Sequence, residues 1–169
     1  MISRIHLKLT VLLILAGLLT NAQNKIQVPL RFDFYYTLEE MNQALEALHK
    51  AYPKLTRLES AGKSEEGRDI MILTIHNPDK GTELTKPGVY VDGNIHGNEI
   101  QAGEVCLYYA NLLLTKYGEN ERITQLLDKN VHYIVPVVNV DGRAAFMSEA
   151  NTPSTNRTIR IPKDDDRDG

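Results

Sequence analysis

The sequence predicts an α/β domain built on a mixed or mostly parallel sheet. Apolar runs of strand length alternate with stretches of helical periodicity, and turn-forming residues separate the two. The chain has 169 residues, of which 42% are hydrophobic and 24% charged, which suits one domain. A formal net charge of −3, with no dense basic stretch, argues against a nucleic-acid-binding protein.

The first helix is predicted over residues 38–51. Apolar side chains recur there at helical spacing, and Thr37 and Glu40 have the spacing of a capping box. Pro53 ends the pattern. Two strands around a polar turn at residues 65–68 are expected next, and the second strand is apolar on both faces, as a buried central strand would be.

Four further elements are predicted next, and a polar segment follows them. A short strand ends at Gly93, and the long helix that follows it stops at Gly118, a natural C-cap. A shorter helix and an apolar strand, residues 131–139, come next. After Gly142 the chain is polar and rich in turn formers, with little periodicity.

Residues 1–22 predict a secretory signal peptide. A basic start precedes an apolar run from Leu9 to Leu19 that is too short to span a bilayer, and Ala22 suits a position before a cleavage point. The alternative is an uncleaved N-terminal anchor. Either way the rest of the chain is expected to leave the cytoplasm. With a cleaved signal peptide we expect a secreted, periplasmic or extracellular protein that has no stable membrane span after signal removal. The single cysteine, Cys106, excludes an intrachain disulfide and is expected to be a buried apolar side chain on a helix.

The stretch "VYVDGNIHGNEIQAGE", residues 89–104, is the main candidate site. His96 and Glu99 lie in a glycine-lined bend between a strand and a helix, where α/β sheets bind ligands. An imidazole nitrogen and a carboxylate at this spacing can converge on one zinc ion, which needs a third protein ligand and an open position for catalysis. The alternative is a surface turn in which Glu99 favours the helix dipole.

The stretch resembles the zinc-binding segment of the carboxypeptidase A-like metallocarboxypeptidases. The resemblance runs from about Phe34 to Arg160. It includes the GKS-x-x-GR turn, "VPVVNVDG", where Val140 replaces the family's proline, and "NRTIR". It implies an α/β/α sandwich around the sheet, with residues 30–169 as a partial catalytic domain truncated at its C-terminus.

Site roles follow from the resemblance. His96 and Glu99 match the family's first two zinc ligands. The arginine that stabilises the oxyanion matches Arg157 or, as second choice, Arg160. The third ligand, the substrate-binding residues and the general base have no counterpart, and His132, His76 and His49 are poor substitutes for the third ligand. His132 is expected to be structural or exposed.

The acidic end suggests a second cation. Asp164, Asp166 and Asp168 alternate before Gly169, as in the first half of a calcium-binding loop. Residues 160–169 would then begin an acidic, calcium-binding insertion. The alternative is a solvated acidic linker.

The expected function is that of a secreted zinc carboxypeptidase that acts on the C-terminus of a peptide or protein. With two zinc ligands and no general base, the chain by itself should bind zinc poorly and be inactive. One alternative is a zinc amidohydrolase of the aspartoacylase and succinylglutamate desuccinylase group. Another is a non-enzymatic calcium-binding surface module. Oligomeric state is left open.

Overall fold

The computed structural model describes residues 28–148. This part of the chain contains four α-helices and four β-strands, in the order α-β-β-β-α-α-β-α. The elements are α1 (Leu38–Ala51), β1 (Thr56–Lys63), β2 (Asp69–Ile75), β3 (Gly88–Asp92), α2 (Ile100–Lys116), α3 (Glu121–Lys129), β4 (Val131–Val135) and α4 (Val140–Ser148).

Helix α1 has the predicted bounds and the predicted capping box. The Thr37 hydroxyl accepts a hydrogen bond from the Glu40 amide, and the Glu40 carboxylate accepts one from the Thr37 amide. These bonds satisfy two donors that a helix start otherwise leaves unpaired. The buried face of the helix consists of Met41, Ala44, Leu45 and Leu48.

The predicted hairpin is also present. Strands β1 and β2 pair antiparallel, and the Ser64 amide donates to the Arg68 carbonyl oxygen across the turn at 2.9 Å. Burial increases along β2, so that its last three residues, 73–75, are buried. This strand lies between β1 and β4 in the sheet, as predicted for a central strand.

The sheet is mixed, with strand order β1-β2-β4-β3. Strand β4 is antiparallel to β2 and parallel to β3. Within residues 28–148, one of the three strand pairings is therefore parallel and two are antiparallel, the first of these being the β1–β2 hairpin. The parallel pair is formed by β3 and β4, which are connected through α2 and α3.

The core forms between the sheet and the helices. Helix α2 contributes Cys106, which is buried as predicted, and the two neighbouring helices α1 and α3 pack against α2. Burial raises the pKa of the Cys106 thiol to about 11, so it behaves as an apolar side chain. None of the helices within residues 28–148 has both the length and the hydropathy needed to span a bilayer.

The structure corrects the prediction for the region around Gly142. The predicted strand over 131–139 ends at Val135, just before Pro136, and residues 140–148 form a helix instead of irregular polar chain. Alanine, phenylalanine and methionine follow Gly142 and support a helix, and α4 packs on α1. Its first four residues are buried.

Candidate metal site

The candidate site lies at the carboxyl edge of the parallel strand pair. Strand β3 ends at Asp92, the bend occupies residues 93–99, and α2 begins at Ile100. Because β3 and β4 are parallel, the segment that follows β4 leaves the sheet at the same edge. The structure therefore puts the bend at the position where open α/β sheets bind ligands.

The structure brings His96 and Glu99 together. The His96 Nδ1 atom lies 3.1 Å from Oε2 of Glu99, and both side chains are more than half exposed, at 57% and 56%. Glu99 occupies the N-cap position of α2, but its carboxylate makes no capping hydrogen bond. The exposure of both side chains and the place of Glu99 at the helix start are also compatible with the alternative, a surface turn in which Glu99 favours the helix dipole.

The pair fits part of a zinc site. Nitrogen and oxygen are both donors that zinc accepts, and two donors on a tetrahedral zinc would lie about 3.3 Å apart given bond lengths of about 2.0–2.1 Å. The separation in the structure is 3.1 Å. Within the described part of the chain, no group of three or more His, Cys, Asp or Glu side chains is placed to hold a metal.

The segment that we call the second loop, residues 136–142, packs against the bend and includes the first three residues of α4. The Val138 amide donates to the Gly93 carbonyl oxygen and the Asn139 amide to the Asn94 carbonyl oxygen, both at 3.0 Å. A Cβ on Gly97 would lie 2.8 Å from backbone atoms of Gly142, so the two loops touch at a pair of glycines. The shape of the bend thus depends on a segment more than thirty residues further along the chain.

Asn94 holds the bend from inside. Its φ of 55° lies in the left-handed region, which asparagine tolerates better than most residues. Its Nδ2 atom donates to the carbonyl oxygen of His96 at 2.7 Å and to that of Gly97 at 3.3 Å. The side chain is 1% exposed, so water does not compete for these bonds.

Arg143, on α4, is the largest fully buried side chain in the described structure and has 0% exposure. Its guanidinium forms an ion pair with Glu104 of α2, with Nη2 2.6 Å from Oε1. It also donates to Asn94 Oδ1 and to main-chain carbonyl oxygens. A buried charge needs such compensation, because an unpaired one is very costly.

Asp141 connects the second loop to the β1–β2 turn. Its carboxylate accepts hydrogen bonds from the Ser64 hydroxyl at 2.8 Å, the Glu66 amide at 3.1 Å and Arg68 Nη1 at 2.7 Å. Burial by itself would raise the pKa of the Asp141 carboxyl, but the bonds from Arg68, Ser64 and Glu66 outweigh it and hold the pKa below its usual value. The GKS-x-x-GR turn and the aspartate of "NVDG" therefore form one structural unit.

The other histidines within residues 28–148 lie in other contacts. His132 is buried and its Nδ1 atom lies 3.0 Å from the Tyr109 hydroxyl, so it is structural, and the alternative that it is exposed is wrong. His49 contacts Thr56, and His76 contacts Glu83 and Lys86. None of these contacts includes His96 or Glu99.

Several predicted site residues lie outside the described residues, so their places in the site stay predictions. They are the two candidate oxyanion arginines, Arg157 and Arg160, and the three aspartates of the proposed calcium loop, Asp164, Asp166 and Asp168. The predicted signal peptide, residues 1–22, also lies outside them.

Sequence reasoning missed Asn94, Glu104 and Arg143. The sequence pattern assigns Arg143 to the polar segment that follows Gly142. The signal that could have found it is a lone arginine next to the apolar run of residues 144–147, where a guanidinium must find partners inside the fold.

The mixed sheet agrees with the fold that the sequence resemblance implies, and the His–Glu bend lies at its carboxyl edge. A family model described as zinc carboxypeptidase matches residues 41–164. Because the match covers well over half of the sequence, the chain belongs to the zinc carboxypeptidase family.

Individual relatives agree with the family. The chain is 34% identical to carboxypeptidase D of Mus musculus over 134 residues, which is 79% of this chain and 10% of the relative. It is 31% identical to carboxypeptidase M of Mus musculus over 108 residues, or 64% of this chain and 24% of the relative. The chain thus spans a tenth to a quarter of the length of these curated relatives.

Solved structures show the same fold. The carboxypeptidase A of Helicoverpa armigera matches with a TM-score of 0.69 and 25% identity, covering 92% of this chain and 37% of that one. Thrombin-activatable fibrinolysis inhibitor also matches with a TM-score of 0.69 and 25% identity, covering 77% of this chain and 32% of that one.

Proposed function

We propose that this chain forms the first part of a secreted zinc carboxypeptidase domain that hydrolyses the C-terminal peptide bond of a peptide or protein. The observation that carries the proposal is the His96–Glu99 pair, two half-exposed side chains 3.1 Å apart at the carboxyl edge of the sheet. Membership of the zinc carboxypeptidase family supports the peptidase over the amidohydrolase alternative.

In this proposal His96 and Glu99 are the first two protein ligands of the zinc. The bound ion would supply Lewis acidity and lower the pKa of a water molecule. His96 would contribute a neutral imidazole nitrogen and Glu99 a carboxylate oxygen. The guanidinium of Arg157, or of Arg160, would stabilise the negative charge that develops on the scissile carbonyl oxygen.

The third ligand and the general base are proposed to lie outside residues 28–148, since no third metal-binding side chain joins the pair within that range. The chain by itself is therefore expected to bind zinc weakly and to lack peptidase activity. Secretion is proposed from the basic and apolar pattern of residues 1–22. A calcium ion held by Asp164, Asp166 and Asp168 is proposed from their alternate spacing.

Zinc binding by the purified chain tests the proposal. We expect weak binding, measured by competition with a chelating dye, that His96→Ala and Glu99→Gln each reduce further. His49→Ala is the matched control, because His49 is a half-buried histidine that contacts Thr56 and not the bend. Equal binding by the parent chain and both site variants would contradict the proposal. Tight stoichiometric binding that His96→Ala abolishes would instead show that this chain contains a third ligand.

A further inference from the structure

We infer that Arg143 is a positioning residue that sets the conformation of the bend carrying His96 and Glu99. The inference rests on the proposed function in one respect: the bend matters because its two side chains are proposed to bind zinc. The effect of Arg143 on the conformation of the bend can be tested without metal. It concerns a buried side chain on α4 that touches neither His96 nor Glu99 and acts on the backbone at either side of them.

All of the N–H groups of the Arg143 guanidinium have a partner. Nε and Nη2 donate to the Tyr36 carbonyl oxygen, and Nη2 also donates to Glu104 Oε1. Nη1 donates to Asn94 Oδ1 at 3.0 Å and to the Ile100 carbonyl oxygen at 3.1 Å. Only arginine carries five N–H donors on one planar group, so no other side chain could make this set of hydrogen bonds.

The two bonds from Nη1 hold the bend at both of its ends. On the upstream side, Asn94 receives the bond from Arg143 and passes the constraint on, because its Nδ2 atom donates to the carbonyl oxygens of His96 and Gly97. On the downstream side, Ile100 is the residue directly after Glu99. The segment from His96 to Glu99 is thus fixed between two contacts of one guanidinium.

The surroundings are shaped to accept this side chain. A Cβ on Gly103 would lie 2.7 Å from Arg143 Nη1, so only glycine leaves room for the guanidinium beside α2. Glu104, the next residue, balances the charge, and its Oε1 atom also accepts a bond from the Tyr36 amide at 3.1 Å. Residues from α2, from α4 and from the segment before α1 therefore converge on one buried cation.

Two variants separate positioning from general stability. Arg143→Lys keeps the positive charge but loses the planar guanidinium and its five donors. Asn94→Asp keeps the acceptor for Arg143 and tolerates the left-handed backbone, but it loses the donor to the His96 and Gly97 carbonyl oxygens. The control is Arg57→Lys, which changes an exposed arginine on β1 that pairs with Glu83.

The main readout is amide hydrogen exchange in the full chain. The reporter is the Glu99 amide, which donates to the His96 carbonyl oxygen within the bend, and the reference is the amides of the β2–β4 pairing. We expect both site variants to raise exchange at Glu99 by about threefold to tenfold relative to the reference, the effect of one or two lost hydrogen bonds. Arg57→Lys should leave this ratio unchanged.

Zinc affinity gives the second readout. Loss of a side chain that orients metal ligands typically weakens binding by about tenfold or more, so both variants should bind zinc less tightly than the parent chain and the control. The inference is overturned if Asn94→Asp leaves the Glu99 amide unchanged, or if exchange rises equally throughout the sheet. If exchange changes as expected while His96→Ala binds zinc like the parent, the proposed function fails and the positioning role stands.

Discussion

Asp141 shows at the scale of one residue how this structure joins distant segments. Its carboxylate is buried and accepts bonds from Ser64, Glu66 and Arg68, which all lie in the turn between β1 and β2. Hydrogen bonds to a charged acceptor stabilise more than neutral ones, and they are lost together if the charge is removed. The charge is therefore a structural component of the fold and is retained to low pH.

We expect Asp141→Asn to lower the free energy of unfolding by about 2–3 kcal/mol at pH 7, because Arg68 loses its buried counter-charge. The folded-state pKa of Asp141 is depressed, so its contribution is fully present above the unfolded-state pKa and is lost as the pH falls through the folded-state value. The difference in the free energy of unfolding between the parent chain and the Asp141→Asn variant should therefore become smaller at acid pH. Urea unfolding at pH 7 and at pH 3 measures both effects.

The control for this substitution is Asp33→Asn, which removes an exposed carboxylate paired with Arg31. It should change the free energy of unfolding by no more than about 0.5 kcal/mol. If the two substitutions changed the free energy of unfolding equally, the burial of Asp141 would not contribute to stability.

His132 is a second buried titratable residue. It is 1% exposed, its Nδ1 atom contacts the Tyr109 hydroxyl, and its Nε2 atom has no hydrogen-bond partner in the described structure. Burial lowers the pKa of the imidazole, so the folded protein holds this histidine neutral.

We expect His132→Leu to make stability less dependent on pH between 7.5 and 5. In the parent chain the unfolded state takes up a proton at His132 below pH of about 6.5, while the folded state resists it, so stability falls as the pH falls. His76, whose pKa is lowered by burial and then by Lys86, keeps its own contribution in the variant. Urea midpoints across this pH range test the difference. An unchanged slope would mean that His132 is not buried as described.

At the scale of elements, the contact between the bend and the second loop is the feature that the local sequence pattern does not show. Helix α1 was predicted to its end residues, because capping and periodicity are local signals. The bend was located from its residues, but its contacts with residues 136–143 were not, because they join positions more than forty apart in sequence. Helix α4 was missed for the same reason: what stabilises it is packing and buried bonds, not a periodic pattern.

Gly97→Ala tests how closely the two loops pack. The added methyl carbon would lie 2.8 Å from the backbone of Gly142, which cannot move aside as a side chain would. We expect a loss of about 1–3 kcal/mol in the free energy of unfolding, the range for overpacking. Gly88→Ala is the control, because its Cβ would meet the Tyr133 ring at 3.2 Å, and that ring can shift.

The Gly88 variant should differ from the parent by no more than about 0.5 kcal/mol in chemical denaturation. If Gly97→Ala is equally mild, the loops are not in the close contact that holds the bend.

At the scale of the whole molecule, the described part has an open side. Strand β3 pairs with β4 alone within residues 28–148, and alternate residues on it are exposed. Tyr90, at its centre, is 61% exposed, and Val105 and Tyr108 on α2 are 65% and 52% exposed. Apolar side chains beside an unpaired strand edge promote association between chains.

We therefore expect the purified chain to associate as its concentration rises, and Tyr90→Lys to weaken this association by about tenfold, since a charge on an edge strand opposes pairing. Leu84→Lys is the control: Leu84 is 98% exposed but lies on a separate 3₁₀ turn. Sedimentation velocity over a range of concentrations compares the association of the parent chain and the two variants. Equal association of both variants would show that the β3 edge is not involved.

The buried arginine also has a consequence for the order in which the molecule is built during translation. Arg143 is synthesised 49 positions after Asn94, its partner in the bend, and 107 positions after Tyr36. Contacts that close over long stretches of chain form late. A nascent chain that has emerged only as far as β4 already carries the histidine and the glutamate, yet it lacks the contacts from residues 136–143 that hold the bend from outside. The full constraint on the bend should therefore arrive with α4, after His96 and Glu99 themselves have been synthesised.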